Sequence, residues 1–294
     1  MADPVKSGSL PITIRCATPA DTAECGRICF EAFHAIALQH NFPPDIPGVD
    51  VAAGFMGAIF SHPKFFCVVA ESGGRIIGSN CLDQRSPIAG VGPVTVDPAV
   101  QDRGAGRALM HAVMERSTEQ GHAGIRLVQA AYHRRSLSLY AKLGFVVREP
   151  LVVMNGPALR RPLRGCNVRK ATAADLQACA RVQFAVHGHE RTGELHDGIR
   201  HGSAVVVERE GRITACASGL AFFSYAVAES NYDLQALIAA AERFDGPGIL
   251  VPVRNAELFR WCLENGLRVI EPLTLMTIGL YNEPQGAYLP SILY

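Results

Sequence analysis

A short turn at residues 101–106, Gln-Asp-Arg-Gly-Ala-Gly, constrains the fold of this chain more than any other segment. The apolar run before it, at 91–96, predicts a strand, and the segment after it, at 107–116, predicts a helix. A strand, a glycine-bearing turn and a helix in this order direct free backbone N–H groups and the positive end of the helix dipole at one point. The segment therefore predicts a site for a phosphorylated ligand.

Two common phosphate-binding turns do not fit this segment. A P-loop requires a lysine after its second glycine, and Arg107 follows Gly106 here. A dinucleotide-binding fingerprint requires a third Gly or Ala where Leu109 stands. The pattern that remains is Gln-x-x-Gly-x-Gly, and an ordinary strand–turn–helix junction is the alternative because glycine is common in any turn.

The Gln-x-x-Gly-x-Gly pattern resembles the pyrophosphate loop of the GNAT superfamily of N-acetyltransferases, which bind acetyl-CoA. Residues 136–145 are similar to a second GNAT signature, a short helix that runs through Leu139-Tyr140 and ends in Leu-Gly-Phe. Gly144 suits the position just after a helix, and residues 125–130 predict a strand between the two signatures. The resemblance covers roughly residues 11–150 and implies an acetyl-CoA site.

The chain repeats its own pattern after a Pro- and Gly-bearing connection at 156–165. Residues 14–21 match 168–175, and residues 66–76 match 204–213 in the same order. With the resemblance, this repeat predicts an α/β (α+β) fold of two tandem GNAT-like domains, each a mixed, mostly antiparallel sheet flanked by helices. The predicted domains are a catalytic one at 1–155 and a degenerate one at 166–294.

The second half lacks the features that carry the resemblance in the first half. No glycine stands at 225–233, before the helix predicted at 234–244. When Gly144 is aligned with Gly266, Cys262 stands at the position of Tyr140. Two roles for this half remain open: it shapes the substrate cleft, or it holds a homodimer together. The apolar tail at 281–294 is expected to pack back on the protein.

The resemblance assigns roles to particular residues of the first half. Backbone groups of the strand and loop would hold the pantetheine arm and the pyrophosphate, and Tyr140 would donate a proton to the departing thiolate. A phenol with a reference pKa of ~10 keeps that proton at neutral pH. The cofactor-binding residues implied in this way are Val94, Thr95, Val96, Gln101, Arg103, Gly104, Ala105, Gly106, Arg107, Ala108 and His133.

The general base is not assigned by the resemblance alone. Many family members carry a glutamate on the strand before the loop, where this chain has Gly90, Gly92 and Pro93. Asp83 and His133 are the candidate bases, and His133 stands where the family usually has an asparagine that contacts the cofactor. A substrate amine that is already neutral, or a water relay, would need neither residue.

The acceptor site is expected in the segment after the first strand, with Phe33, His40 and Phe42 as candidate substrate contacts. The predicted function is direct acetyl transfer from acetyl-CoA to a primary amine of a small molecule. The alternative is an acyl-CoA-binding pseudoenzyme or regulatory module without turnover. A longer acyl donor remains open.

Composition limits the partners, the metal sites and the cellular compartment that the sequence predicts. The formal net charge of +1 gives no reason to expect nucleic acid or an anionic membrane as a partner. The nine cysteines are scattered and none forms a Cys-x-x-Cys motif, which favours a reducing cytoplasm and no metal site. Cys25 and Cys29, one helical turn apart, are expected to be buried apolar residues rather than ligands.

Overall fold

The computed structural model describes residues 11–293, and its first half alternates strands and helices in the predicted order. Two short 3-10 helices, Pro19–Asp21 and Pro98–Val100, precede α1 and the turn before α3. The elements are β1 (Thr13–Cys16), α1 (Thr22–Gln39), α2 (Val49–Ser61), β2 (Phe65–Ser72), β3 (Arg75–Asp83), β4 (Ile88–Val91), β5 (Thr95–Val96), α3 (Ala105–Glu119), β6 (Gly124–Ala130), α4 (Arg134–Lys142) and β7 (Val146–Asn155).

The second half follows the same order, except that one strand stands where the first half has β4 and β5, and a further strand is added at its end. Its 3-10 helix, Ala173–Asp175, corresponds to Pro19–Asp21. The elements are β8 (Asn167–Lys170), α5 (Leu176–His187), α6 (Thr192–Arg200), β9 (Val205–Arg209), β10 (Arg212–Ala217), β11 (Ala226–Ala228), α7 (Asn231–Ala240), β12 (Ile249–Pro252), α8 (Ala256–Glu264), β13 (Arg268–Gly279) and β14 (Ala287–Leu289). The predicted α/β (α+β) class, two tandem units of mostly antiparallel sheet flanked by helices, is confirmed.

The repeat extends to individual ion pairs at the start of each half. Arg15 on β1 binds Asp21 at 2.7 Å and also a glutamate of β2. Arg169 on β8 binds Asp175 at 2.8 Å and a glutamate of β9. Each aspartate accepts a hydrogen bond from the backbone N–H three residues before it, so it fixes the start of the following helix.

The two halves exchange strands, so that one sheet runs through both of them. Its order is β1-β2-β3-β4-β6-β13-β7-β12, with β5 paired to β3. β13 of the second half lies between β6 and β7 of the first, while β7 lies between β13 and β12. The remaining strands of the second half form a separate sheet in the order β14-β11-β10-β9-β8.

This exchange is reciprocal and follows an approximate two-fold axis. Leu151 of β7 is paired with Leu273 of β13 at its centre. On one side the Ala131 N–H donates to the Pro272 carbonyl at 3.0 Å, and on the other the Val253 N–H donates to the Pro150 carbonyl at 3.0 Å. Each half therefore pairs its last long strand with strands of the other half.

Helices cover both faces of the first half's sheet because its strands alternate apolar side chains on two sides. Cys67, Val69 and Cys81 pack against α1 and α2. Val68 and Leu82 pack against α3 on the opposite face. The face that carries α1 and α2 is also the face on which the second half approaches.

Three findings concern membrane spans, cysteines and metal-ligating side chains. Within residues 11–293, no helix combines the length and the apolar character that crossing a membrane requires. All nine cysteines are free thiols, and Cys25 and Cys29 are buried in the core between α1 and α2. The described residues contain no group of three His, Cys, Asp or Glu side chains that could hold a metal ion.

Candidate active site

The strand before the glycine turn is broken, and the expectation of one strand at 91–96 is wrong. β4 ends at Val91 and β5 begins at Thr95. Between them Gly92 has a φ of 142°, which L side chains rarely adopt, and Pro93 has no N–H to donate to a ladder. Val94 consequently lies outside both strands and packs, partly buried, against the core under α3.

This break opens a gap in the sheet. β4 and β6 are paired in parallel only from Ile88 with Gly124 to Gly90 with Arg126. Past that point β5 is paired with β3, and no ladder joins β5 to β6 among the described residues. β13 is paired with the other edge of β6 along its full length. The two strands leave a slot whose walls carry unpaired backbone groups, as a ligand with amide groups requires.

An orphaned polar atom on β6 fits such a ligand. Gln129 is 6% exposed, and its Oε1 accepts a hydrogen bond from Ser136 of α4 at 2.9 Å. Its Nε2 is buried and has no hydrogen-bond partner in the described part of the chain. A buried donor of this kind costs free energy unless a partner arrives, so it marks this stretch of β6 as suited to an amide-bearing arm.

The glycine turn lies at the end of β5, where the slot meets the first turn of α3. Gly104 is the N-cap residue of α3 and has a φ of 94°, so the left-handed backbone explains a glycine here. The Gln101 side chain donates to the Val96 carbonyl at 3.1 Å, and Arg135 of α4 donates to Gln101 at 2.6 Å. These two side-chain hydrogen bonds therefore fix the shape of the turn, and the free N–H groups of the first turn of α3 lie beside it.

The charged residues of the turn are placed to meet an anion. Arg103 and Arg107 are exposed, and within residues 11–293 neither forms an ion pair. Ala105 is buried against the core, and Ala108 is half-buried. A Cβ at Gly106 would lie 3.5 Å from the Leu139 side chain, in ordinary van der Waals contact.

Tyr140 lies on α4 among the apolar side chains that line the core beneath α3. It is 7% exposed, and its ring lies 6.1 Å from that of Phe145 in an edge-on contact. Burial raises the pKa of the phenol well above its usual value of 10.0. Tyr140 therefore holds its proton firmly and suits the role of an acid.

His133 is the N-cap residue of α4, directly after β6, and it is half-buried. Its backbone N–H donates to the Ala130 carbonyl at 2.9 Å. Burial, with the positive charge of Arg135 and the neighbouring His40, lowers the pKa of His133 to about 4. The imidazole is neutral at pH 7, but it is a weaker base than an ordinary histidine.

Asp83 lies at the end of β3 and is held by an arginine. Both of its carboxylate oxygens accept hydrogen bonds from Arg85, the shortest at 2.6 Å. Arg85 also binds Asp197 of α6 at 3.0 Å, and Asp197 contacts His62 at 3.2 Å. The geometry gives Asp83 a place in an ion-pair network between the halves, beside Gly90 of β4, with which it is paired.

The structure brings together two of the three candidate substrate contacts. Phe42 stacks on Tyr132 with ring centroids 4.3 Å apart, and His40 lies 5.3 Å from the same ring. Tyr132 follows β6 directly and precedes His133, so this aromatic group lies at the end of the slot. Phe33 does not join it and packs in the core between α1 and α2.

Glu271 and Tyr132 are residues that the sequence analysis did not assign to the site. Glu271 lies on β13, in the second half, and is fully buried. Its Oε2 accepts a hydrogen bond from the Tyr132 hydroxyl at 3.0 Å. Asp45, from the segment between α1 and α2, lies beside it, and burial with this contact raises the pKa of the Glu271 carboxyl. The sequence does contain a signal for Glu271, because the tripeptide Glu-Pro-Leu at 149–151 recurs at 271–273.

In the second half, the position that corresponds to the slot is occupied by a strand of the chain itself. β14 pairs with β11 from Ala226 with Leu289 to Ala228 with Ala287, and it also contacts β12. β11 and β12 correspond to the two walls of the slot in the first half. Glu229, rather than a glycine, precedes α7 there.

The fold and slot define a tandem GNAT architecture, and comparisons with known proteins agree. A tandem GNAT protein from the clavulanic acid biosynthesis pathway superimposes with a TM-score of 0.56 at 14% identity, covering 92% of this chain and 98% of that one. A candidate acetyltransferase from Pyrococcus horikoshii gives 0.71 at 18% identity over 100% of this chain and 96% of that one. These matches show the fold.

Sequence comparison supplies the family. Residues 32–145 match the model of the acetyltransferase (GNAT) family. Mycothiol acetyltransferase of Nocardia farcinica is 38% identical over 134 residues, which are 44% of this chain and 43% of the relative. The match thus spans less than half the length of that curated relative. Residues 32–145 thus carry the sequence pattern of the GNAT acetyltransferase family.

Proposed function

We propose that this chain transfers the acetyl group of acetyl-CoA directly to a primary amine of a small molecule. The observation that carries the proposal is the slot between β5 and β6, which leads to a glycine turn with two unpaired arginines. Acetyl-CoA-dependent transfer is the general activity of the family whose model matches residues 32–145. The proposed catalytic domain is 1–155, and the domain at 166–294 contributes β13 to its sheet.

The proposed cofactor site uses the two walls and the mouth of the slot. Acetyl-CoA supplies an activated thioester when it is bound. Gln129 offers a free amide donor to the pantetheine arm, and the N–H groups at the start of α3 face the pyrophosphate. The residues proposed to hold the cofactor are Val94, Thr95, Val96, Gln101, Arg103, Gly104, Ala105, Gly106, Arg107, Ala108 and His133.

Tyr140 is the proposed general acid, because burial keeps its phenol protonated until a thiolate leaves. The base is less strongly supported. The lowered pKa of His133 makes it a poor proton acceptor at neutral pH. Asp83 is held in its ion pair with Arg85. A neutral substrate amine, or one deprotonated through water, fits this site better than either residue.

A small-molecule acceptor is favoured over a protein for two reasons. The aromatic group of His40, Phe42 and Tyr132 ends the slot in a confined space beside the second half. The matched relative from Nocardia farcinica is also named for a small molecule, mycothiol. The cytoplasm is the proposed location, where nine free thiols would stay reduced.

Titration with acetyl-CoA in a calorimeter, followed by an amine panel, tests the proposal. Saturable binding together with acetylated products, detected by mass spectrometry, would support it. Binding without turnover of any amine would instead favour an acyl-CoA-binding regulatory module. Absence of binding would overturn both. Titration with longer acyl-CoA donors fixes the donor, and sedimentation tests whether the second half also forms a homodimer.

A further inference from the structure

The carboxyl groups of Glu271 and Asp45 meet at the end of the slot without a cation. Glu271 is 0% exposed, and its Oε1 is buried and meets no hydrogen-bond donor group within residues 11–293, since the Asp45 carboxyl beside it is also an acceptor when ionised. Asp45 is half-buried beside it. Neither carboxyl forms an ion pair with an Arg, Lys or His side chain in that range, although ion pairs are frequent elsewhere in the protein.

Such a pair is unfavourable as it stands. Two carboxylates removed from water repel each other, so one of them takes up a proton or a cation must approach. A single proton shared by the two carboxyls neutralises part of their negative charge, but it leaves other carboxylate oxygens without a hydrogen-bond donor. A ligand ammonium group offers three N–H donors and a full positive charge. It would satisfy Glu271 Oε1 and the Asp45 oxygens together.

Aromatic rings complete the surroundings expected for a cation. The Tyr132 hydroxyl donates to Glu271 Oε2 and so orients the carboxyl. Phe42 stacks on the ring of Tyr132, and His40 lies against it. Aromatic faces attract ammonium groups that have left water. Charge, orphaned acceptor and aromatic surface therefore coincide at one place.

The site formed by Glu271 and Asp45 is separate from the point where the slot begins. The Ala131 N–H donates to the Pro272 carbonyl, so Glu271 lies level with the end of β6. The paired part of β4 and β6 ends at Arg126. Five residues of strand, at about 3.3 Å each, separate the two levels by about 16 Å. A group held by Glu271 is thus distant from a group deep in the slot.

We propose that Asp45 and Glu271 bind a second ammonium group of the acceptor, so that preferred substrates are linear diamines or longer polycationic amines. The inference rests on the proposed function for the transfer step. One amine lies in the slot and is acetylated, while the other stays protonated between the two carboxyls. The second half supplies a specificity residue to the first through the exchanged strand β13.

The test compares a diamine with a monoamine of the same length, using the full chain and acetyl-CoA. We expect the KM for the diamine to be lower on the order of tenfold, which corresponds to about 1.4 kcal/mol. Glu271→Gln keeps the shape but removes the charge, and it should raise the diamine KM to that of the monoamine. Asp45→Asn, on a half-exposed segment, should act in the same direction.

Glu149→Gln is the matched control. Glu149 occupies the equivalent position on β7, is also buried, and faces the second half, where Arg254 lies 3.6 Å away. This variant should leave the diamine preference intact. Thermal melting of all three variants separates loss of binding from loss of folding.

The outcomes distinguish this inference from the proposed function. If amines are acetylated with equal KM for diamine and monoamine, the subsite is wrong and the transferase stands. Calorimetric titration of the diamine into wild-type and Glu271→Gln protein gives a readout without turnover. Equal heats would overturn the subsite even if no amine were acetylated, whereas binding lost only in the Asp45 and Glu271 variants would support it.

Discussion

Tyr140 on α4 is buried in the core beneath α3, and the raised pKa of its hydroxyl follows from that burial. Replacing it with phenylalanine should lower kcat on the order of a hundredfold, since positioned proton transfer contributes at least that much. The Kd for acetyl-CoA, measured by calorimetry, should stay the same. An unchanged kcat would remove Tyr140 from the proposed mechanism.

A substitution at Gly104 tests whether the turn needs its left-handed backbone, because a side chain at this position would have room. A Cβ there would meet nothing within 4 Å, but the φ of 94° is unfavourable for L residues by roughly 1–2 kcal/mol. Gly104→Val should therefore weaken acetyl-CoA binding on the order of tenfold in calorimetry. Gly104→Asn is the control, because asparagine tolerates left-handed backbone, and it should bind more tightly than the valine variant. Equal affinities would show that the turn does not need this conformation.

The Glu271 carboxyl makes stability depend on pH. Its pKa is raised above the ordinary 4.5 by burial and by Asp45, so the native state retains a proton that the unfolded chain releases. The free energy of unfolding must then fall as pH rises above 4.5 toward the raised pKa. Glu271→Gln lacks this loss, so its Tm should exceed the wild-type Tm by a margin that grows toward alkaline pH. A margin independent of pH, in calorimetric melts, would contradict the raised pKa.

Helices α1 and α2 approach closely at one glycine. A Cβ at Gly26 would lie 2.5 Å from the Cα of Ala53, too close for any side chain. Gly26→Ala should force the helices apart and lower the free energy of unfolding by roughly 1–3 kcal/mol in urea titrations. Gly54→Ala on α2 is the control: a Cβ there meets nothing within 4 Å, so the change should stabilise the helix slightly. The same loss in both would refute the close approach as the cause.

Local patterns predicted most elements of the first half. The strand expected at 125–130 is β6, the helix after the first signature is α3, and the helix of the second signature is α4. These were predictable because periodicity and glycine positions act over a few residues. The break at Gly92 was missed, since an apolar run alone predicts one strand, whereas pairing with β3 and β6 decides where it divides. The helix expected at 234–244 begins earlier, at Asn231, because the Ser230 side chain accepts from the Asp233 N–H.

At the scale of the whole molecule, the two halves differ in what fills the slot. In the second half β14 lies between β11 and β12, in place of a ligand. We therefore expect one acetyl-CoA per chain in a calorimetric titration, with no second, weaker site. A stoichiometry of two would mean that β14 leaves its position when acetyl-CoA binds.

The exchange of strands lay beyond what the sequence predicted. The repeat and the connection at 156–165 indicated two tandem units, but strand partners are chosen by contacts between residues far apart in sequence. For the same reason Glu271 could not be placed beside Asp45 and Tyr132, although the repeated Glu-Pro-Leu marks both exchanged strands. The glycine turn and Tyr140, by contrast, belong to continuous segments and were found from them.

The position of β13 also sets an order of events during synthesis. The slot, the turn and Tyr140 all leave the ribosome early, yet the neighbour of β6 is made only near residue 279. Until then β6 and β7 have bare edges, which attract other strands. A nascent first half is therefore prone to pair with other strands until β13 has been translated.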